Sequence, residues 1–249
     1  MLRELSHKIQ RVTIATAQLH KESITLSTEQ KHYLLRVLRL QAKDRFVATT
    51  GNGRAWLAQL NESGTAQVVE EIEQRSELPV AITAIVALPK GGGFEDILRA
   101  GTELGASAFV PIIAARTLLK PNTNKLERWR RIATEAAEQS ERGITPQVSA
   151  PMAFREAIAA PQLHIPEAQL FICVARQDTP HLGQVAQTTG PIAIATGCEG
   201  GWTEAELEAA IATGFKPVTL GRRILRAVTA PIAALAVLAA VLEGEGRTD

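Results

Sequence analysis

Two strands near the C-terminus are each followed by a loop in which the backbone is open to close approach by a ligand. The first predicted strand, Pro191–Gly197, continues into the glycine loop Cys198–Gly201 and then into a helix. The second, Pro217–Gly221, continues into an arginine-rich loop and an alanine-rich helix. Ligands of open α/β sheets bind at the carboxyl ends of the strands. The sequence therefore predicts an α/β domain with a ligand site where these two loops meet.

The glycine loop lacks the signatures of the common phosphate-binding loops. It contains neither the Lys-Ser/Thr pair of a Walker loop nor the G-x-G-x-x-G of a dinucleotide-binding loop. Glu199 also places a negative charge where a phosphate requires a positive one, so a neutral or cationic nucleoside fits better. The alternative is a plain turn that starts a helix, because Thr203 and Glu206 form a capping box that needs no ligand.

The arginine-rich loop favours a functional site over a plain turn. Arg222, Arg223 and Arg226 occupy three of five successive positions at the end of a strand. A single arginine at such a place is usually a solvated rim residue. Three arginines beside a glycine loop indicate a site for an anion or for RNA.

Residues 1–75 predict a small domain that resembles a β-barrel. Short strand patterns at Arg45–Thr50, Ala55–Leu60 and Ala66–Glu71 follow a helical pattern at Thr28–Leu40. Residues 1–60 hold 10 of the 27 Lys and Arg residues but only 4 of the 26 Asp and Glu residues. This basic excess suits phosphate contacts with a polyanion, and a solvated basic face is the alternative.

Residues 76–249 alternate between strand and helix patterns. Apolar strands are predicted at Ala81–Leu88, Ala108–Ile113 and Gln169–Ala175, and helices at Phe94–Leu104 and Lys125–Glu141. Such alternation predicts a parallel sheet with helices on both faces. The segment Gln177–Thr189 is interpreted as the most mobile connection.

Cysteine content and hydropathy exclude several classes of protein. Cys173 and Cys198 give neither a disulfide framework nor a metal cluster, which predicts a reducing, cytoplasmic setting and no metal. The apolar run Ala230–Leu242 is too short to cross a bilayer, so it predicts a buried helix and no membrane partner.

The order of short motifs along the chain resembles the RsmE family of RNA methyltransferases, within the SPOUT superfamily. The resemblance is carried by GCEGGWTEAEL and LGRRILRAVTA near the C-terminus. Upstream matches are His32, Val37-Leu38-Arg39, Lys90, Glu103-Leu104-Gly105, Pro111, Arg116, Trp129, Ala136, Glu138, Gln139, Arg142 and Pro146. Two residues depart from the family pattern: Cys198 stands where proline is usual, and Val228 stands where glutamate is usual.

The resemblance implies a fold and an activity. It implies a PUA-like RNA-binding β-barrel at 1–75 and, at 76–249, a SPOUT methyltransferase domain whose parallel sheet ends in a C-terminal trefoil knot. The implied reaction transfers a methyl group from S-adenosylmethionine to N3 of a uridine in 16S ribosomal RNA. The implied partners are that RNA, within an assembled or assembling small subunit, and a second copy of the chain in a homodimer.

The same resemblance guides the choice of site residues. We expect cofactor contacts from Thr196, Gly197, Glu199, Gly200, Gly201, Leu220, Gly221, Ile224, Leu225 and Arg226. The catalytic candidates are Arg226, Arg142, Glu138, Arg116 and Lys90, and the RNA-binding candidates are His32, Arg36, Arg39 and Arg54. Glu103, Glu138 or Glu199 is the candidate acceptor of the uridine N3 proton, and a structural ion pair is the alternative for each.

Two other functions stay open at the level of sequence. One is a different SPOUT activity, such as 2′-O-methylation of tRNA ribose. The other is an RNA-binding homologue without catalytic activity, which Cys198 and Val228 favour because a stiff proline and a carboxylate are missing.

Overall fold

A computed structural model of the chain describes residues 9–118 and 123–244. The chain divides into two compact units, one of residues 9–77 with Ala137–Thr145 and one of residues 78–136 and 146–244, apart from the undescribed 119–122. The sequence predicted a boundary after residue 75. It gave no sign that 137–145 belongs with the N-terminal unit.

The first unit is built on a six-stranded sheet within the described residues. Its strands are β1 (Arg11–Thr13), β2 (Leu19–His20), β3 (Ser23–Ile24), β4 (Arg45–Thr49), β5 (Ala55–Leu60) and β6 (Ala66–Ile72), in the order β1-β4-β5-β6-β3-β2. β1 pairs with β4 in parallel, and the other pairs are antiparallel. The three predicted strands are thus confirmed as β4, β5 and β6.

The predicted helix at Thr28–Leu40 is shorter than expected. Helix α1 (Thr28–His32) starts at the capping residue Ser27 and continues into a π-helical turn, Tyr33–Val37. Arg39 then adopts a left-handed φ of 57°, a conformation that L-residues rarely adopt and that ends the helix.

The second unit contains a parallel seven-stranded sheet within the described residues. Its strands are β7 (Ile82–Ala87), β8 (Ala108–Ile113), β9 (Gln147–Val148), β10 (Met152–Ala153), β11 (Gln169–Cys173), β12 (Ile192–Thr196) and β13 (Lys216–Val218). Six of them follow the order β10-β8-β7-β12-β11-β13, and β9 pairs with β8. β12, β11 and β13 are therefore neighbours, and the loops that leave their carboxyl ends meet.

Helices cover both faces of this sheet. They are α2 (Gly93–Glu103), α3 (Thr123–Gln139), α4 (Phe154–Ile158), α5 (Leu182–Val185), α6 (Glu204–Ala212) and α7 (Thr229–Gly244). Along β7, Ile82, Ala84 and Val86 pack into one core with α2, α3, α5 and α7, whereas Ile85 and Ala87 pack into a second core with α4 and α6. Successive side chains of a strand point to opposite faces, which explains the continuous apolar runs seen in the sequence.

The backbone at the end of β13 lies between two parts of the segment that follows β11. Val218 O accepts a hydrogen bond from Val174 N at 2.9 Å, while Thr219 N donates to Pro180 O at 2.9 Å. Leu182 N also donates to Thr219 O at 3.0 Å. Residues 218–219 therefore have one part of the 174–182 segment on each side, and the trefoil knot stays a prediction. No helix among the described residues is both long enough and apolar enough to cross a membrane.

Candidate functional site

Three loops at the carboxyl ends of β11, β12 and β13 enclose a cleft of about 1590 Å³. They are the β11 loop (174–181), the glycine loop (197–204) and the arginine loop (219–225), and Arg116, after β8, also lines the cleft. The structure thus brings together the two loops predicted from the sequence. It adds the β11 loop, which the sequence had suggested only as a mobile connection.

The glycine loop is a tight turn that leads directly into α6. Gly201 N donates to Cys198 O at 2.9 Å, and Gly201 has a φ of 66°. Thr203 is the N-cap of α6, and its side chain accepts a hydrogen bond from Glu206 N. The predicted capping box is therefore confirmed, and it coexists with a cleft rather than replacing it.

A buried carboxylate and a guanidinium brace the glycine loop. Glu206, only 8% exposed, accepts hydrogen bonds from Ala115 N at 2.7 Å and from Thr203 N and Oγ1 at 2.9 Å. Arg116 Nη1 donates to Gly200 O at 2.6 Å and to Trp202 O at 3.2 Å. These bonds fasten the loop to the segment that follows β8, so Arg116 acts on the shape of the loop.

The brace depends on the absence of a side chain at Gly200. A Cβ built there would lie 2.9 Å from both Cβ and Cδ of Arg116. Such contacts are shorter than real Cβ atoms show, so any larger residue would displace the arginine. A glycine at this position is therefore a packing requirement.

Glu199 and Lys90 are joined through the backbone of the lysine. Lys90 N donates to Glu199 Oε1 at 3.0 Å, so Lys90 contributes its amide to the loop. Nearby, Val228 lies over the first turn of α2, where its Cγ2 is 2.5 Å from the position of a Cβ built on Gly93. At the position where the family usually has glutamate, this chain has an apolar contact.

The walls of the cleft combine exposed apolar groups with polar groups. Ile224 and Ile211 both line it, although they are 57% and 48% exposed. The Oγ1 atom of Thr179, another lining residue, is buried without a hydrogen-bond partner. His181 Nδ1 accepts a hydrogen bond from Gly183 N at 3.2 Å, so the neutral ring carries its proton on Nε2. An apolar ring with polar edges, such as a nucleoside, suits these walls.

Most of the expected cofactor residues lie around the cleft. Those that line it are Gly197, Glu199, Gly200, Gly201, Leu220, Gly221, Ile224 and Leu225. Thr196 is buried at the end of β12 with an unpartnered Oγ1 atom, and Arg226 is exposed just beyond the arginine loop. Thr179 and His181 also line the cleft, and the sequence did not indicate them because no motif marks the β11 loop.

Arg116 is the one catalytic candidate among the described residues that line the cleft, and two others, Arg142 and Glu138, lie in the first unit. Arg142 is 2% exposed and donates to Glu77 Oε2 at 2.6 Å from Nη2 and 3.1 Å from Nε, while Glu138 accepts from Thr13 N at 2.5 Å. A buried guanidinium must be paired to offset its lost hydration, so these residues hold 137–145 in the first unit. The contacts of Arg142 and Glu138 within the first unit give each a structural role, and their catalytic role stays a prediction.

The RNA-binding candidates all lie in the first unit. His32, Arg36 and Arg39 are exposed on or just after α1 and its π-helical turn. Arg54 differs, because Nε and Nη2 donate to Glu71 at 3.0 and 3.1 Å. This hydrogen bonding raises the pKa of Arg54 and lowers that of Glu71. Its positive charge is therefore already partnered.

Family models match both units. A model described as the RNA methyltransferase domain matches residues 76–239, and one described as the RNA methyltransferase PUA domain matches residues 26–71. The parallel sheet and its three-loop cleft are thus those of an RNA methyltransferase domain. Within the described residues, no group of three or more His, Cys, Asp and Glu side chains is arranged to hold a metal ion.

Individual relatives narrow the class. The ribosomal RNA small subunit methyltransferase E of Synechocystis is 52% identical over 238 residues, covering 94% of this chain and 78% of the relative. The Bacillus subtilis protein of the same name is 32% identical, covering 87% of this chain and 89% of that relative. The Neisseria gonorrhoeae enzyme of that name, solved bound to S-adenosyl methionine, is 31% identical with a TM-score of 0.83 and coverages of 92% and 96%. The chain belongs to the ribosomal RNA small subunit methyltransferase E family, as the motif order predicted.

Proposed function

We propose that the chain transfers a methyl group from S-adenosylmethionine to N3 of a uridine in 16S ribosomal RNA. The observation that carries the proposal is the three-loop cleft, in a fold that matches the S-adenosyl methionine-bound Neisseria gonorrhoeae enzyme with a TM-score of 0.83. The names of the Synechocystis and Bacillus relatives support small-subunit RNA as the substrate.

The residues around the cleft fit this methyl donor. When bound, S-adenosylmethionine supplies an electrophilic methyl group on a sulfonium. Ile224, Leu220 and Leu225 offer apolar walls to the adenine ring, and Thr179 Oγ1 offers a hydrogen bond that it does not make within the chain. At Gly201, where a built Cβ has nothing within 4 Å, the bare backbone of the glycine loop permits close approach by a ligand.

Glu199 is the proposed acceptor of the uridine N3 proton. The nitrogen must lose this proton before its lone pair can attack the methyl carbon. Of the three carboxylates considered, Glu199 lines the cleft, Glu138 lies in the first unit, and Glu103 is exposed at the end of α2 outside the lining. The amide of Lys90 holds one Glu199 oxygen, which fixes the orientation of the carboxylate. We assign stabilisation of the uridine anion to Arg226, the exposed arginine next to the cleft.

The proposed setting is the cytoplasm, with the RNA bound in an assembled or assembling small subunit. His32, Arg36 and Arg39, exposed on the first unit, would contact the RNA backbone. We also propose a homodimer. The partly exposed apolar residues of α7, such as Val237 and Val241, support a contact with a second copy.

Val228 favours one competing function, an RNA-binding homologue without catalysis. Val228 makes an apolar contact beside Gly93. The chain therefore lacks the carboxylate that the family usually has at this position. The proposal of an active enzyme requires that Glu199 suffices without it.

Incubation with small subunits from a strain that lacks this methyltransferase separates these functions. The subunits are supplied with S-adenosylmethionine, and the RNA is digested to nucleosides for mass spectrometry. We expect 3-methyluridine, and none with the Arg226→Ala variant. A 2′-O-methylated nucleoside would indicate the other SPOUT activity. Calorimetric binding of the donor without transfer would indicate the inactive homologue.

A further inference from the structure

We propose that Arg176, Arg222 and Arg223 form a phosphate-binding rim that holds the RNA strand across the mouth of the cleft. The proposal rests on the proposed function and adds a second RNA contact, on the methyltransferase unit. All three side chains are exposed, and all three line the cleft.

The rim comes from two loops that are fixed to each other. Arg176 lies in the β11 loop, while Arg222 and Arg223 lie in the arginine loop. The backbone hydrogen bonds of Thr219 to Pro180 and Leu182, at 2.9 and 3.0 Å, join the two loops at their bases. The three guanidinium groups therefore belong to one end of the sheet, although 46 positions separate Arg176 from Arg222 in the sequence.

Both loops are locally constrained. Arg176 has a left-handed φ of 60°, and Gly221 has a φ of 113°. Thr219 Oγ1 donates to Gly221 O at 3.1 Å and accepts from Gly221 N at 3.2 Å, which closes a small turn just before Arg222. A preorganised backbone lowers the entropy lost when the side chains bind a ligand.

The rim arginines differ from most other exposed arginines of this unit. Arg99, Arg128, Arg130 and Arg131, on α2 and α3, all form ion pairs with carboxylates. In the part of the chain that the structure describes, no ion pair within 4.0 Å involves a rim arginine, although Asp178, Glu204 and Glu208 line the same cleft. Three cations are thus left for an external anion.

The number of charges favours RNA over the methyl donor as that anion. S-adenosylmethionine carries one carboxylate, and a single arginine can bind a carboxylate through two parallel hydrogen bonds. An RNA strand presents a negative phosphate at each nucleotide, so it can engage all three guanidinium groups. Base exposure also requires that the strand on either side of the target be held.

Salt-dependent RNA binding tests the rim. The probe is a fluorescein-labelled single-stranded oligouridine, with its dissociation constant measured by anisotropy at several salt concentrations. The logarithm of affinity falls as the logarithm of salt concentration rises, with a slope of about −0.7 per phosphate contact. Replacing all three rim arginines with glutamine should therefore make this negative slope shallower by about 2. The calorimetric affinity for S-adenosylmethionine should stay within about twofold of that of the unmodified chain.

The matched control is Arg155→Gln, which removes another exposed arginine outside the cleft lining, on α4. It should leave the slope unchanged. The single variants Arg176→Gln and Arg223→Gln, each expected to make the slope shallower by about 0.7, keep the test valid if the triple variant fails to fold.

Three results would overturn the rim. One is an unchanged slope in every rim variant, with methyl transfer by the unmodified chain intact, which would leave the proposed function standing. Another is a loss of affinity for S-adenosylmethionine with RNA binding unaltered, which would assign the arginines to the donor's carboxylate. The third is an unmodified chain that neither binds the oligouridine nor transfers methyl groups, which would remove the proposed function as well.

Discussion

Gly200→Ala is expected to weaken binding of S-adenosylmethionine by displacing Arg116. The new Cβ would meet Cβ and Cδ of Arg116 at 2.9 Å, about 0.5 Å below the 3.4 Å lower limit of ordinary van der Waals contact. The arginine cannot move away without giving up its bonds to Gly200 O and Trp202 O, at 2.6 and 3.2 Å. The glycine loop then loses its attachment to the segment after β8.

The magnitude follows from those two bonds. A hydrogen bond that involves a charged group contributes about 1.5–3 kcal/mol, and solvent exposure of Arg116 reduces this to about 0.5–1.5 kcal/mol each. Loss of both hydrogen bonds removes about 1–3 kcal/mol of the free energy that holds the glycine loop in its binding conformation. The dissociation constant for S-adenosylmethionine should then be about 5- to 150-fold higher. Isothermal titration calorimetry measures the change directly.

Gly92→Ala is the matched control. Gly92 has an ordinary φ of −94°, and a Cβ built there has nothing within 4 Å. Its donor affinity should stay within about twofold of the unmodified value. In the Arg116→Ala variant the two hydrogen bonds are already absent. Adding Gly200→Ala to that variant should therefore weaken donor binding much less than Gly200→Ala does alone. Additive losses in this double-mutant cycle, or unchanged affinity in Gly200→Ala, would refute the argument.

Three further predictions concern stability and reactivity. Glu77→Gln removes the carboxylate that pairs with the buried Arg142 guanidinium and should lower the free energy of unfolding by about 3 kcal/mol in urea denaturation. Glu73→Gln, in an exposed pair with Arg75, should leave the free energy of unfolding nearly unchanged; equal effects would contradict the structural role of Arg142. Cys173 is partly buried against the core, and this desolvation raises the pKa of its thiol to about 12, so it should react with iodoacetamide more slowly at pH 8 in the folded chain than after unfolding; equal rates of alkylation, followed by mass spectrometry, would contradict this. Val228→Glu places a carboxylate in an apolar contact and should lower the unfolding free energy by about 1–3 kcal/mol; an unchanged melting temperature would show that the site tolerates charge.

Local patterns were enough to predict much of the fold. Apolar runs predicted β7, β8, β11 and β12, and the Thr203–Glu206 spacing predicted the start of α6, because these features depend on near neighbours in the sequence. The strand order was not predictable in this way. The junction of the two predicted loops followed from the general rule for parallel sheets rather than from any single residue.

The features that the sequence did not reveal depend on contacts between distant residues. The bond from Arg142 to Glu77 spans 65 positions, and that from Arg116 to Gly200 spans 84. In sequence alone, Arg142 and Arg116 have the same status as motif arginines. Burial distinguishes the first as a structural partner, and bonds to two carbonyls identify the second as a brace. The β11 loop reaches the site because Thr219 is hydrogen-bonded to Pro180 and Leu182, which lie 39 and 37 positions away.

A crystal structure of the chain grown with saturating S-adenosylmethionine tests the central claim most directly. The account predicts the adenosine between the glycine and arginine loops, with its ring against Ile224 and a hydrogen bond to Thr179 Oγ1. Donor density elsewhere on the molecule, or an empty cleft under those conditions, would contradict it.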